Sequence, residues 1–556
     1  MNTQSKFSSP DISRSWIAYL PLLIGLFVDL GAGLIPPATS AFALAAALTL
    51  VFYICVRSNE SGAYLVMLTT FLVASVAYNV SAFYQIPLAV DPWTNISVAA
   101  AILRTGHFSA AITSESASGL NPYYSLFPAM SIASATLSSV TGLDLPISFI
   151  IFPGCIILLQ PLLVFVLARA VYGSPVAAVF SAFVVLTESA VTQWITTPLA
   201  ESVALSMVLL LLVVLLGRRQ SRSHVVLQLA IFSAVSILHG AIALLSMVLL
   251  PLLLGWRRSR SMTIIATFLM IFLAYLVSTL LILRIIDSLA VIESRILGFF
   301  VGSEASSQGL GGVKSALYGA GTPGVVFVWW GLPVALALFS ILILGRKGAS
   351  SWTYVGLGTL GLSYILNVLA PNLVADRYGG AAGWLVLAVA AGKPLATLTR
   401  NPRRLLLITP IIFLVCFSAV ANPLLSPQYG YLAHNYHWSP SYNGVPLTES
   451  DTIALNWVHT HPATDVISDE YASNYLVFLQ FQSGIYSHSG ILSSVYALTT
   501  PRPRSNQAIF VRWWNLQPNV GQVCPGLISA LARQQTSQIV NIVYYNNCDV
   551  LEMNPR

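Results

Sequence analysis

The chain has 556 residues, of which 56% are hydrophobic and only 8% charged, and its formal net charge is +7. So few charges cannot coat a water-soluble protein of this size, and so apolar a composition excludes a disordered chain, which leaves a protein whose solvent is largely lipid. In that setting the basic excess marks loops beside an anionic membrane surface, and nucleic acid is excluded as a partner.

A run of about 20 apolar residues spans a bilayer. Hydropathy predicts about thirteen spans, near 16–35, 38–56, 62–83, 146–168, 174–190, 199–217, 224–240, 241–255, 261–283, 323–345, 352–370, 379–396 and 404–421. The first apolar run has no small-residue cleavage site behind it and continues into a hairpin, so it reads as an anchor rather than a removed signal. One more apolar stretch, 123–140, decides the topology. If it lies along the surface, 16 of the 26 Lys and Arg fall on the N-terminal side of the membrane and 5 in the opposite membrane loops, with 5 in the tail after 422. If it crosses, every later loop flips, and of the basic residues in those loops 13 fall outside and 4 inside. Basic residues stay cytoplasmic, so 123–140 is expected not to cross. The N-terminus is then cytoplasmic, and 84–145, 190–198, 284–322, 371–378 and the C-terminal tail are external.

In chain order, the segment after the third span reads FYQIPLAVDPWTNIS. Asp91 precedes Pro92, which suits a helix's first turn. Trp93, Ile96, Ala100 and Leu103 then recur at helical spacing, with Asn95 and Arg104 turned elsewhere, which predicts an amphipathic helix lying in the interface. Carboxylates are rare here, and each is expected to be hydrated, paired or working. Asp29, Asp91, Glu188, Glu201 and Asp376 all fall near the external boundary. His107 and His239 are external too, and are acceptor-side candidates or satisfied boundary histidines. The loop 284–322 carries Arg284, Arg295 and Lys314 around a GSEASSQGLGG stretch that suits a substrate lid, and PNLVADRYGG carries Arg377 next to Asp376. A guanidinium offers a phosphate two parallel donors and a permanent charge.

From about 422 the apolar runs stop and turn residues appear. TESDTIALNWVHTH is a predicted helix, DVISDE a strand, ASNYLVFLQ a helix and IVNIVYYNN a strand, which together predict a small external α/β domain over 422–556. Cys524 and Cys548 alone lie outside the spans on that side; a bridge between them would close a loop of about 24 residues, and two free thiols are the other reading. His459, His461 and Asp465 suggest either a metal site or a solvated helix end. Trp513 and Trp514 present aromatic faces suited to a sugar ring or to packing.

Taken together, DPWTNISVAAAILRTGHF, NPYYSLFPAMSIASATLSSVTGLDLP, VFVLARAVYGSP and TTPLAES resemble the core of the GT-C superfamily, integral membrane glycosyltransferases that use polyprenyl-phosphate-linked sugars. The resemblance covers about 62–260 well and the later spans loosely. It implies a mainly α, polytopic transmembrane bundle with interfacial helices in its first core external loop. It further implies a catalytic domain over 62–421, preceded by an added hairpin in 1–61. Asp91 matches the family's first-loop acid and Glu201 the acid after the fifth span, with Glu188 beside it; Tyr123 and Tyr124 match the interfacial-helix start, and Arg377 the arginine that meets the lipid phosphate. Asp91 stands alone where the family has an acidic pair, so a divalent cation, Mg or Mn, would need Glu188 or Glu201 brought to it. The implied partners are membrane lipid, a polyprenyl-phosphate sugar donor and a glycan or protein acceptor. The rival readings are a transporter or flippase of a lipid-linked or anionic solute, and a non-catalytic GT-C-like scaffold.

Overall fold

The computed structural model describes residues 45–46, 49, 90–108, 127–186, 199–217, 221–254, 266–273, 332–348, 350–369, 381–399, 409–414, 449–460, 465–468, 470–483, 490–493, 507–512, 541–546 and 549–553. Helix α1 spans Val90–Thr105, α2 Ala129–Thr141, α3 Leu145–Tyr172, α4 Pro175–Leu186, α5 Ala200–Leu216, α6 Arg222–Leu238 and α7 Gly240–Leu254. Helices α8 (Leu332–Gly348), α9 (Ser351–Leu369) and α10 (Ala381–Thr399) follow.

Polarity in this bundle is inverted relative to a soluble protein. Gln160, Ser181, Ser202 and Gln228 are fully buried, whereas Val226, Leu342 and Ile365 are 66%, 81% and 57% exposed. An outward face of leucine, valine and isoleucine suits hydrocarbon and not water. Helix α3 has 28 residues and is the one described helix long and apolar enough to cross a bilayer; shorter apolar helices lie over Pro175–Val185, Ala200–Leu216, Arg222–Leu238, Gly240–Leu254 and Ala382–Leu398. Helices meet through small residues. A methyl group on Gly392 of α10 would run into the Ala177 carbonyl of α4, and one on Gly383 would lie 2.9 Å from the backbone nitrogen of Leu360 in α9. Ser181 Oγ donates to the Val389 carbonyl across the α4–α10 contact at 2.9 Å.

The stretch that governs topology holds α2. Its 13 residues rise about 20 Å, well short of a bilayer's hydrocarbon, and it is bounded at both ends. Pro128 precedes it, and Gly142 closes it in the left-handed conformation (φ 73°), its N–H donating to the Ser138 carbonyl at 2.8 Å. Gly173 ends α3 the same way (φ 65°).

Helix α1 differs from the sequence expectation. It starts at Val90, one residue before Asp91, and it is buried on every side from Pro92 to Ala101, Asn95 included at 2% exposure. Leu103, expected on the apolar face, is 40% exposed. The helix is enclosed because α2, α3 and a helix from the end of the chain all pack on it.

That last helix belongs to the C-terminal region, where α11 (Glu449–Thr460), β1 (Asp465–Ser468), α12 (Glu470–Ser483), β2 (Gly490–Ser493), β3 (Gln507–Arg512), β4 (Asn541–Asn546) and β5 (Asp549–Met553) follow in order. They form a five-stranded sheet in the order β2-β1-β3-β5-β4. Strand β1 is parallel to both neighbours, with Val466 beside Ile491 on one side and Ala508 on the other; β5 runs antiparallel to β3 and β4. Helix α12 therefore crosses between two parallel strands, and it leans its outer face on α1.

Candidate active site

Glu201 lies in the first turn of α5, where unsatisfied backbone N–H groups and the helix dipole favour negative charge. It is buried, at 5% exposure. Its neighbour is His239, the single residue between α6 and α7. His239 has extended backbone (φ −160°, ψ 108°), closes α6 with its N–H on the Val235 carbonyl, and opens α7 with its own carbonyl accepting from Ala243 N–H at 3.0 Å. The ring completes the cap: Nδ1 accepts from the Ile242 N–H at 3.4 Å. A ring that accepts at Nδ1 carries its neutral-form proton on Nε2. Nε2 faces Glu201 Oε2 at 3.9 Å, so the two groups stand one short movement from sharing a proton.

The surroundings hold this pair in place. Phe127, just before α2, stacks over the His239 ring with centroids 6.3 Å apart and planes 17° from parallel. A Cβ on Gly240 would lie 2.7 Å from that phenyl ring, so the absence of a side chain lets Phe127 settle on the α6–α7 junction. On the next turn of α5, Gln160 of α3 donates through Nε2 to the Ser202 carbonyl (3.1 Å) and to Ser206 Oγ (2.8 Å). Pro161 follows Gln160, and Pro153 lies two turns earlier, so α3 gives up two of its own backbone bonds beside this polar layer.

From the same end an apolar groove runs along α5, α7 and α10. Its lining includes Leu205, one turn past Glu201, Ile242, one turn past His239, and beyond them Leu209, Leu212, Leu249, Leu253 and Leu385. From Ile242 to Leu253 the α7 wall rises about 16 Å. A buried carboxylate and imidazole this close can exchange a proton one helical turn from an apolar surface suited to a hydrocarbon tail.

Of the residues singled out in the sequence, the structure brings Glu201 and His239 together. Asp91 occupies the second position of α1, inside the first turn. His107 stands beyond the opposite end of that helix, about 24 Å along the axis. It is exposed, its Nδ1–H donating to the Thr105 carbonyl at 3.1 Å. Glu188, Tyr123, Tyr124, Arg284, Arg295, Arg377, Cys524 and Cys548 lie outside the described residues. In the C-terminal region His459 is buried against α12, its Nε2 3.0 Å from Ser483 Oγ. Among the described residues no group of three potential metal ligands occurs; Glu201 and His239 offer two donors. Sequence reasoning missed Gln160 and Phe127. It also treated Glu201 and His239 separately, although TTPLAES and ILHG both fall at span ends on one side.

No protein-family model and no curated protein matches the sequence. In fold the chain is similar to ArnT from Cupriavidus metallidurans in the apo state, at 11% identity and a TM-score of 0.39, covering 89% of this chain and 100% of that one. A second ArnT structure, bound to undecaprenyl phosphate, has 10% identity and a TM-score of 0.37 over the same shares. The apo oligosaccharyltransferase of Archaeoglobus fulgidus has 13% identity and a TM-score of 0.42, covering 81% of this chain and 70% of that one. TM-scores of this size carry no functional weight, and function rests on the residues themselves.

Proposed function

We propose that the chain is an integral membrane glycosyltransferase of the GT-C type, which moves a sugar from a polyprenyl phosphate to a glycan or protein acceptor at the external face. The observation that carries this reading is the buried Glu201–His239 pair, set at a helix N-terminus and one turn from residues that line an apolar groove. A buried charge in so apolar a bundle is costly unless it works. The resemblance of the loop segments around Asp91, Tyr123 and Tyr124 supports the same assignment.

In the reaction the acceptor's oxygen or nitrogen attacks the anomeric carbon, the bond from that carbon to the phosphate oxygen breaks, and the configuration inverts. Asp91 takes the acceptor's proton as general base. Glu201 and His239, with Glu188, hold the charge balance around it. Arg377, with Arg284 or Arg295, receives the leaving phosphate, whose charge grows as the bond breaks. Leucines of the α5–α7 groove take the isoprenoid tail. Asp91 with Glu188 or Glu201 would hold a Mg or Mn ion, which would share the phosphate charge when bound. The N-terminus is cytoplasmic, and the region 422–556 is an external α/β domain in which Cys524 and Cys548 pair.

The test uses purified chain in lipid with radiolabelled polyprenyl-phosphate sugars and mixed membrane acceptors, for wild type, Asp91→Asn and Glu201→Gln. Consumption of one donor by the wild type, lost in Asp91→Asn, is expected. Normal turnover by Asp91→Asn would remove the base from the mechanism. No consumption by a folded wild type would favour a scaffold or a transporter.

A further inference from the structure

Trp93 is two residues beyond Asp91 in the first turns of α1, and it is 1% exposed. Two aromatic side chains of α12 enclose it. Its ring meets Tyr475 edge-on, with centroids 5.0 Å apart and planes at 90°, and lies 5.4 Å from Phe478; those two rings are themselves 5.7 Å apart. Three mutually packed rings make a contact of large area and definite orientation. They join the C-terminal region to the helix turn that carries Asp91. The contacts continue inward from there. Ser131 Oγ of α2 donates to Asn95 Oδ1 of α1 at 3.4 Å, and Phe127, just before α2, covers His239.

We propose, resting on the transferase reading, that the C-terminal region is part of the catalytic apparatus. Helix α12 clamps α1 through Tyr475 and Phe478, and Trp93 is the positioning residue that fixes the turn bearing Asp91. A general base needs its placement held to a fraction of an ångström, and the first turn of a helix is the part most free to fray unless side chains pack on it. The rings of α12 supply the missing constraint from outside the membrane bundle. Substrate-driven movement of the C-terminal region would then move the base with it.

The experiment compares wild type, Trp93→Ala, the Tyr475→Ala/Phe478→Ala double variant and Trp93→Phe in lipid nanodiscs. It records donor turnover, donor bound per mole of protein, and hydrogen exchange of the α1 and α12 amides. Trp93 Nε1 has no hydrogen-bond partner among the described residues, so Trp93→Phe keeps the ring contact and sacrifices no bond. Expected are faster exchange in α1, a fall in kcat of about ten- to a hundredfold for Trp93→Ala and the double variant, and near-normal turnover for Trp93→Phe. Donor bound per mole of protein should stay at the wild-type level while kcat falls, because a displaced base spoils the chemical step and not donor binding, whereas a loss of folded protein lowers both together. Faster exchange in α1 with unchanged kcat would overturn the clamp while leaving the transferase reading intact. A wild type that consumes no donor would overturn both.

Discussion

The Glu201–His239 pair and the Trp93–Tyr475–Phe478 joint are both buried and both lie on one line of contacts, yet they are held by opposite means. The pair is a few polar atoms in an apolar bundle, positioned by helix ends: the first turn of α5 under Glu201 and the α6–α7 junction under His239. The joint is almost all ring surface, positioned by area between segments far apart in the chain. Chemistry therefore depends on atoms at the pair and on shape at the joint. The two should separate cleanly under mutation.

The largest effect is expected at the pair. Glu201→Gln keeps the size of the side chain and removes its charge. Turnover should fall by about a hundredfold or more, the scale for losing one preorganised electrostatic group at a reacting centre. Thermal stability should change little, since glutamine keeps the size of the side chain and a hydrogen-bond acceptor toward His239 Nε2. His239→Gln should lose activity comparably, and some stability as well, because the imidazole Nδ1 also caps α7. A matched fall in stability and activity for Glu201→Gln would show that the carboxylate is structural.

At the joint, stability should fall together with turnover. Phe478→Ala deletes a ring that is 4% exposed, and by the scale of large-to-small core changes it should cost about 3 kcal/mol. The loss should appear first as looser attachment of α12 to α1, read by hydrogen exchange, before the bundle itself melts. Equal exchange in α1 for Phe478→Ala and wild type would mean that α1 is held by α2 and α3 alone.

Much of this was legible in the sequence, for reasons that differ by element. Helix α1 was expected because apolar residues recur at helical spacing after Pro92, and α11, β1, α12 and β4 fall where TESDTIALNWVHTH, DVISDE, ASNYLVFLQ and IVNIVYYNN placed a helix, a strand, a helix and a strand. Periodicity reports one face, however, and not what covers the other. Asn95 looked solvent-facing because its partner, Ser131, and the covering α12 come from distant segments. Strands β2, β3 and β5 lack the run of β-branched and aromatic residues closed by a turn that marked β4, and so were not seen before their pairing partners were known. At the site, Glu201 was legible as a carboxylate that apolar surroundings must justify. Its pairing with His239 was not, because nothing local sets the register of α5 against α6. Gln160 was hidden in the longest apolar run, where one amide hardly alters hydropathy.

Gly240 tests the seam between the two regions. Alanine there would bring a methyl group within 2.7 Å of the end of the Phe127 ring. A ring is softer than backbone, so the cost should be that of modest overpacking, about 1–3 kcal/mol. With Phe127 displaced from His239, turnover should fall severalfold while α12 keeps its hold on α1. A change confined to melting temperature, with turnover untouched, would detach Phe127 from the chemistry.

The smallest effect concerns pH. Burial pushes the Tyr475 phenol above its ordinary value, and the Asn456 amide, 3.4 Å from its oxygen, only partly offsets that. The folded joint thus favours the neutral phenol. With the folded value raised above the unfolded one, the stabilising contribution is fully present below about pH 10, the ordinary tyrosine value, and is lost as pH rises through the raised value. Protection factors at α1 and α12, with the intrinsic base-catalysed rate divided out at each pH, should therefore stay flat through neutrality and fall in alkali. Tyr475→Phe keeps a ring against Trp93 and removes the titrating group, so its protection should lack that alkaline fall. The same fall in Tyr475→Phe would assign the loosening to another group and leave the phenol as a packing surface only.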